Sequence, residues 1–411
     1  MSMEGRGRVT TRPSSLWRNR DYLLLLSGQS VSVLGSQISS VAYPLLALAL
    51  TGSPAQAGLV GAGSFVSYLV FTLFAGVWAD RVDRRAIMIA CEAGQALVAG
   101  SIPLAAVLGR VTIPQLVVAS TISTALYIFF NAASIATLPR VVPPDQLTAA
   151  VARDGVIQST TALGGPPLGG LIFQSLGKTI PMLFDAVSYA ASAVTLVLLR
   201  ASLREERAAA TRHIGREMTE ALSWLRDHAL MRSLMLSSSI LFFITNASRF
   251  SLIVLAKERG ASPAVVGLLF AVGSVGSLLG ALAAPRVQRR VPFRRIVVGG
   301  LWAQAALCPL YAVAPGAWGL GAVWGAVSFG WTIYNVPTFG YQIAATPDEL
   351  QGRVQSVGGL LFFGPSTLSA LFAGVLLQKV GPVPTVLIFA AILSLVALAA
   401  TRNAAMRAVP A

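Results

Sequence analysis

The chain has 411 residues, of which 55% are hydrophobic and only 11% charged, with mean hydropathy +0.70 and a formal net charge of +15. A soluble domain carries roughly 25% charged residues, so this composition excludes a water-soluble globule and leaves no room for large soluble domains. Two cysteines, Cys91 and Cys308, in separate apolar runs, and two histidines, His213 and His228, in the polar centre, exclude a disulfide framework and a His/Cys metal centre.

At the N-terminus a basic stretch (Arg6, Arg8, Arg12, Arg18, Arg20) precedes an apolar run over 22–50. A signal-peptide core spans only about 7–15 residues, so this run reads as a retained first helix. Polar breaks then divide the chain into helices at 22–50, 55–79, 86–108, 114–137, 151–176, 180–200, 231–256, 263–284, 295–314, 318–342, 354–378 and 382–401. A span needs about 20 apolar residues; the longer runs imply tilt or kinks. The resulting domains are an N-terminal tail 1–21, a six-helix bundle 22–200, a linker 201–230, a second six-helix bundle 231–401 and a tail 402–411. The linker region, from Arg200 to Arg232, mixes both charge signs around an amphipathic segment Glu217–Leu225 and reads as a solvated cytoplasmic tether.

Charge sets the expected orientation. Of 31 Lys and Arg, an internal N-terminus puts five in outer loops (Arg110, Lys178, Lys257, Arg259, Lys379), one within a span (Arg249), and the other 25 on the cytoplasmic side. Cytoplasmic loops collect Lys and Arg, so both termini are expected inside, and the surplus positive charge reflects topology rather than nucleic-acid binding.

The two halves echo each other. Gly76 before Arg81, Arg84 and Arg85 is matched 204 residues later by Gly280 before Arg286, Arg289 and Arg290. Tyr127–Asn131 (Y-I-F-F-N) is matched at the same interval by Trp331–Asn335 (W-T-I-Y-N), and Pro144–Leu147 (P-D-Q-L) 203 later by Pro347–Leu350 (P-D-E-L). Gly165–Gly170 (G-P-P-L-G-G) is paired with Gly364–Ala370 (G-P-S-T-L-S-A), 199 later. Two parallel six-helix repeats about an axis along the membrane normal form an all-α integral membrane fold of twelve spans, with equivalent residues facing a central cavity.

The segment G-V-W-A-D-R-V-D-R-R, Gly76 to Arg85, resembles the helix 2–3 loop motif of the major facilitator superfamily, with Trp78 and Asp83 as departures. Its D-R-x-D-R-R form, with L-P-R-V-V-P-P-D-Q-L after helix 4 and G-P-x-x-G-G on helix 5, is similar to the branch containing enterobactin exporters and macrolide efflux proteins. The resemblance implies a conformational latch of Gly76, Asp80, Arg81, Arg84 and Arg85, joined when the cytoplasmic side is closed. Asp80 is expected near the start of helix 3, where the helix dipole favours a carboxylate, with the arginines bonding across the seam. Gly165, Pro166, Gly169 and Gly170 resemble the antiporter motif on helix 5, although Ala152 and Thr161 stand where its fuller form has glycine; small residues there permit close packing and the paired prolines a bend. Leu34-Gly35-Ser36 stands where related transporters carry an L-G-D acid, and helix 4 lacks the arginine of drug–proton antiporters.

Helical spacing nominates the cavity. Tyr127 and Asn131 share one face of helix 4, and Trp331, Tyr334 and Asn335 repeat them on helix 10. Gln29, Ser36 and Gln37 make helix 1 polar, and Asn246, Arg249 and Phe250 do so for helix 7. Each of these could equally serve an interhelical hydrogen bond. An intramembrane arginine needs a partner or a task; for Arg249 these are Asp185, Glu258 or the cavity. Glu92, Asp154 and Asp185 are the candidate proton carriers. The expectation is a monomeric secondary exporter of small molecules, an antibiotic-like compound, secondary metabolite or siderophore, exchanged for protons. No cofactor, metal or nucleic acid is expected, no catalytic constellation is recognised, and no G-x-x-x-x-G-K-[ST] loop is present to bind ATP. An importer of small nutrients and a non-transporting receptor on the same scaffold remain open on the sequence.

Overall fold

A computed structural model describes residues 16–199 and 214–407. All regular secondary structure among these residues is helical, with no strand. The first half holds α1 (Arg20–Thr51), α2 (Pro54–Arg81), α3 (Arg84–Val107), α4 (Ile113–Val141), α5 (Leu147–Ser175) and α6 (Ile180–Val197). After α7 (Ile214–Asp227), the second half holds α8 (Ala229–Glu258), α9 (Pro263–Arg290), α10 (Phe293–Leu307), α11 (Leu310–Val313), α12 (Gly316–Ala345), α13 (Asp348–Ser366), α14 (Ser369–Val380), α15 (Pro382–Arg402) and α16 (Ala404–Arg407).

Local chemistry sets these boundaries. Ser53 and Ser262 cap α2 and α9 by accepting from the Gln56 and Val265 amides, each followed by a proline whose missing N–H costs nothing at that position. Gly52 (φ 66°) and Gly260 (φ 76°) end the preceding helices in the left-handed region. Two predicted spans are broken. Pro309, with no amide hydrogen to give, separates α10 from α11, and the chain loosens after Pro365 between α13 and α14.

Ten helical stretches are long and apolar enough to cross a membrane. The 29-residue α5 and 30-residue α12 complete twelve spans; glycine, proline and amphipathic aromatics lower their hydropathy, and α12 carries no charged residue. Outward faces present apolar side chains such as Leu97, Leu104 and Val107, which lipid covers.

The packing is duplicated. Helix α1 packs on α5 and α6, α3 on α4 and α6, and α2 on α4; α8 correspondingly packs on α13, α14 and α15, α10 on α12 and α15, and α9 on α12. In lipid such association relies on close packing and buried hydrogen bonds. A Cβ on Gly35 of α1 would fall 2.0 Å from Ser188 Oγ of α6, so the bare glycine sets that approach. The amphipathic α7 buries Ala221 and Leu225 against Met231, Met235, Val354 and Val357, and Glu220 pairs with Arg353 of α13.

Asp80 is placed otherwise than the sequence suggests. It lies in the last turn of α2, whose helical register runs on to Arg81; the carboxylate at the start of α3 is Asp83, which accepts from the Arg85 amide at 2.9 Å. The side chains of Asp80 and Arg81, and the surroundings of Gly76, lie outside the described residues.

Candidate transport cavity

The halves meet through two crossings, α2 on α14 and α5 on α9. Both close contacts sit at the end away from the basic α2–α3 and α9–α10 loops. On one side, a Cβ on Gly58 would fall 2.3 Å from the Ala370 carbonyl oxygen, and one on Gly374 would fall 2.3 Å from that of Pro54. On the other, a Cβ on Gly267 would fall 2.4 Å from the Pro166 oxygen, and one on Gly170 would fall 2.1 Å from that of Pro263. Two glutamines finish the pair: Ser53 Oγ donates to Gln378 Oε1 at 2.8 Å, and the Ala264 amide donates to Gln174 Oε1 at 3.2 Å. These are two copies of one clasp. Ser53–Leu59 and Ser262–Leu268 share the pattern S-P-A-x-x-G-L, a repeat that the sequence reading missed.

The clasps also correct the repeat register. Pro166, Gly170 and Gln174 correspond to Ala370, Gly374 and Gln378, an interval of 204 residues, so the G-P echo at 199 is out of step. Gly165 and Gly169 face α1 instead: a Cβ would fall 2.4 Å from Gln37 Cβ and 2.1 Å from the Ile38 oxygen respectively. Helix α5 therefore joins α1 on one side and α9 on the other.

Above the clasps lies a cavity of about 730 Å³ between the halves. Ser36, Gln37, Tyr127, Asn246, Arg249 and Phe250 all line it, with Glu92 at its N-terminal side. A side chamber of about 250 Å³ extends toward α9 and α12, where Trp331 joins Gln37, Asn246 and Arg249. Gln29, Asn131 and Asp154 line a separate cleft of about 290 Å³ nearer the basic end, and Gln29 donates there to Ser134. Tyr334 is fully buried between helices and shares hydrogen bonds with Ser238 (2.8 Å) and Ser237 (3.3 Å); Asn335 is not on the walls of the cavity or chamber.

The acids and the cation occupy opposite halves. Asp185 of α6 accepts from Ser39 (2.5 Å) and Ser36 (3.3 Å) of α1, and Ser36 also contacts the Tyr189 hydroxyl at 2.8 Å. Glu92 of α3 accepts from Ser192 of α6 at 3.0 Å and from Ser32 of α1 at 3.4 Å. The carboxylate that Ser36 lacks is thus supplied beside it from α6. Hydrogen bonds to a charged group contribute about 1.5–3 kcal/mol each, enough for two serines to offset placing an Asp within a span, which costs roughly 2.5–3.5 kcal/mol even at the centre.

Arg249 has no such set. Its guanidinium lies 5.1 Å from the centre of the Phe270 ring, and neither Asp185 nor Glu258 pairs with it. A desolvated cation–π contact offsets about 2 kcal/mol, less than the insertion cost of about 2.5–3.5 kcal/mol for Arg.

At the basic end Arg84 donates to the Ala136 oxygen at 3.0 Å, while Arg85 donates to the Leu196 oxygen at 3.0 Å and also to that of Val197. These bonds tie α3 to α4 and α6 within its own half.

Two pseudo-symmetric bundles around a central cavity lined by polar and aromatic side chains, sealed at one end, define a membrane transporter. The profile of the Major Facilitator Superfamily matches residues 25–366, and the chain belongs to that family. It is 27% identical over 281 residues to the uncharacterized MFS-type transporter YfiS of Bacillus subtilis, covering 66% of this chain and 65% of that protein. It is 25% identical over 370 residues to the multidrug efflux pump Tap of Mycolicibacterium fortuitum, covering 87% of this chain and 90% of Tap. A bacterial homologue of the iron transporter ferroportin in an inward-facing state shares the fold, with a TM-score of 0.74 at 17% identity, over 95% of this chain and 100% of that one.

Proposed function

We propose that this transporter is a proton-coupled exporter of small organic molecules that works by alternating access. Likeness to efflux pumps supports the direction, and the 25-to-5 distribution of Lys and Arg supports an orientation with the basic end and both termini in the cytoplasm. In that orientation the clasps seal the outer side and the cavity opens inward. The other state then parts the clasps and closes the basic end, where Asp80, Arg81, Arg84 and Arg85 form the latch.

The observation that carries the coupling is the pair of buried acids held by α1. An ionised carboxylate only accepts hydrogen bonds, whereas a protonated one must also donate. Loading a proton on Asp185 or Glu92 therefore rearranges the Ser32, Ser36 and Ser39 bonds that seat α1 on α3 and α6. Helix α1 also lines the cavity with Ser36 and Gln37 and packs on Gly165 and Gly169 of α5. Proton loading, cavity shape and clasp thus meet on one helix. One proton entering across 100 mV releases about 2.3 kcal/mol, roughly a 50-fold gradient at 1.4 kcal/mol per decade.

The test is uptake of labelled antibiotics, a macrolide among them, into inverted vesicles with and without an imposed proton gradient. Gradient-dependent accumulation is expected. Its absence across a broad panel counts against export, and whole-cell content that falls on deletion of the gene would indicate import.

A further inference from the structure

We infer that Arg249 is the recognition site for an anionic group on the transported molecule, so that the substrates include aromatic organic acids. The inference rests on the transport reading and deepens it. Arg249 stands on α8 and faces both the central cavity and its side chamber. Among the described residues no carboxylate pairs with it, and its guanidinium lies against the Phe270 ring. The acids that share the interior, Asp185 and Glu92, are engaged by serines of α1 and α6. The positive charge is therefore available to a guest.

The surroundings fit such a guest. Gln37 and Asn246 line the same two spaces and bring amide groups. Asn246 spends one amide hydrogen on the Phe242 carbonyl oxygen at 2.9 Å, which leaves the other. Phe242, Trp331 and Trp324 supply aromatic walls to the chamber. A planar guanidinium pairs with a carboxylate through two parallel bonds, and beside the low-dielectric aromatic walls of the chamber that attraction exceeds its value at a fully solvated surface. A cationic guest would meet repulsion at the same point. Export of an anion is moreover driven outward by an inside-negative potential.

The site also touches the gate. Phe270 lies one helical turn beyond Gly267, and Pro166, whose oxygen meets Gly267, lines the same chamber. An anion seated on Arg249 would therefore sit beside the α5–α9 clasp.

Equilibrium dialysis on the full chain in lipid nanodiscs, with empty nanodiscs subtracted, tests this with three radiolabelled probes: naphthalene-2-carboxylate, its neutral carboxamide and 2-naphthylmethylammonium. The carboxylate is expected to bind at least about tenfold more tightly than the amide, as a charge-assisted pair allows, and the ammonium most weakly. Arg249→Gln should bring carboxylate affinity down to that of the amide, with an unchanged melting temperature reporting folding; Arg249→Lys should keep a preference. Amide binding equal to carboxylate binding overturns the inference, as does no measurable binding of either, or a preference that survives Arg249→Gln. Vesicle uptake separates the two readings: antibiotic flux without anion preference removes only this inference, and anion preference without flux removes only export.

Discussion

Glycine 170 offers the sharpest perturbation. A Cβ there would lie 2.1 Å from the Pro263 oxygen, against an ordinary contact of about 3.4 Å, and the obstacle is backbone of a capped helix start rather than a yielding side-chain tip. Gly170→Ala must part α5 and α9 by roughly 1.3 Å at that point. Inserting a methyl into such a contact costs about 1–3 kcal/mol, which at 1.4 kcal/mol per decade shifts the closed-to-open ratio of the outer side by about 5- to 150-fold. The corresponding Gly374→Ala acts on the other clasp, where the Pro54 oxygen lies 2.3 Å from the built Cβ, so the two penalties should add. Double electron–electron resonance reads the outcome. Spin labels on Arg110→Cys and Val383→Cys sit at the clasp end, one on each half, and the native Cys91 and Cys308 are buried. Wild type should give mainly the shorter distance, each glycine variant a growing longer one, and the double variant mostly the longer. A folded Gly170→Ala protein with an unchanged distribution would refute the clasp.

Further outcomes follow from the same geometry. Asp185→Asn should abolish gradient-driven accumulation while leaving substrate exchange down its gradient, measured as counterflow in proteoliposomes; Glu92→Gln should act in the same direction. Ser53→Ala removes both the α2 cap and the bond to Gln378, and should lower melting stability by about 1–2 kcal/mol. Asp80→Asn should slow turnover in vesicle uptake without lowering the melting temperature, and unchanged turnover would remove the latch.

Much of the architecture was legible because lipid imposes one rule on every span: satisfy the backbone locally and face the tails with apolar side chains. That rule exposes the twelve spans and the charge asymmetry. It misplaces what depends on local breaks. The run A-D-R-V-D-R-R contains two carboxylates that could open α3, and only the register of α2 assigns the helix start to Asp83 rather than Asp80. The 199-residue echo was drawn to a visible G-P pair, whereas the clasp aligns Pro166 with Ala370, residues with no chemical likeness that share a backbone oxygen position. S-P-A-x-x-G-L was visible but short, and its meaning appears only when each glycine meets a carbonyl across the interface. The cavity was half legible. Polar residues inside spans pointed to Gln37, Asn246 and Arg249, but periodicity could not tell Tyr334, sealed on two serines, from Trp331, which reaches the chamber. Asp185 was found as an acid; that it stands beside Ser36 needed the packing of α1 on α6.

The proposed opening of the clasps during transport is tested most directly by cross-linking one of them. Ser53 and Gln378 already touch at 2.8 Å, so Ser53→Cys with Gln378→Cys, bridged by a short bifunctional thiol reagent with a reducible link, should pin the outer side shut. Transport in proteoliposomes should fall to background on cross-linking and return with reductant, while each single variant keeps working. Undiminished flux through the fully cross-linked protein would contradict alternating access through this gate.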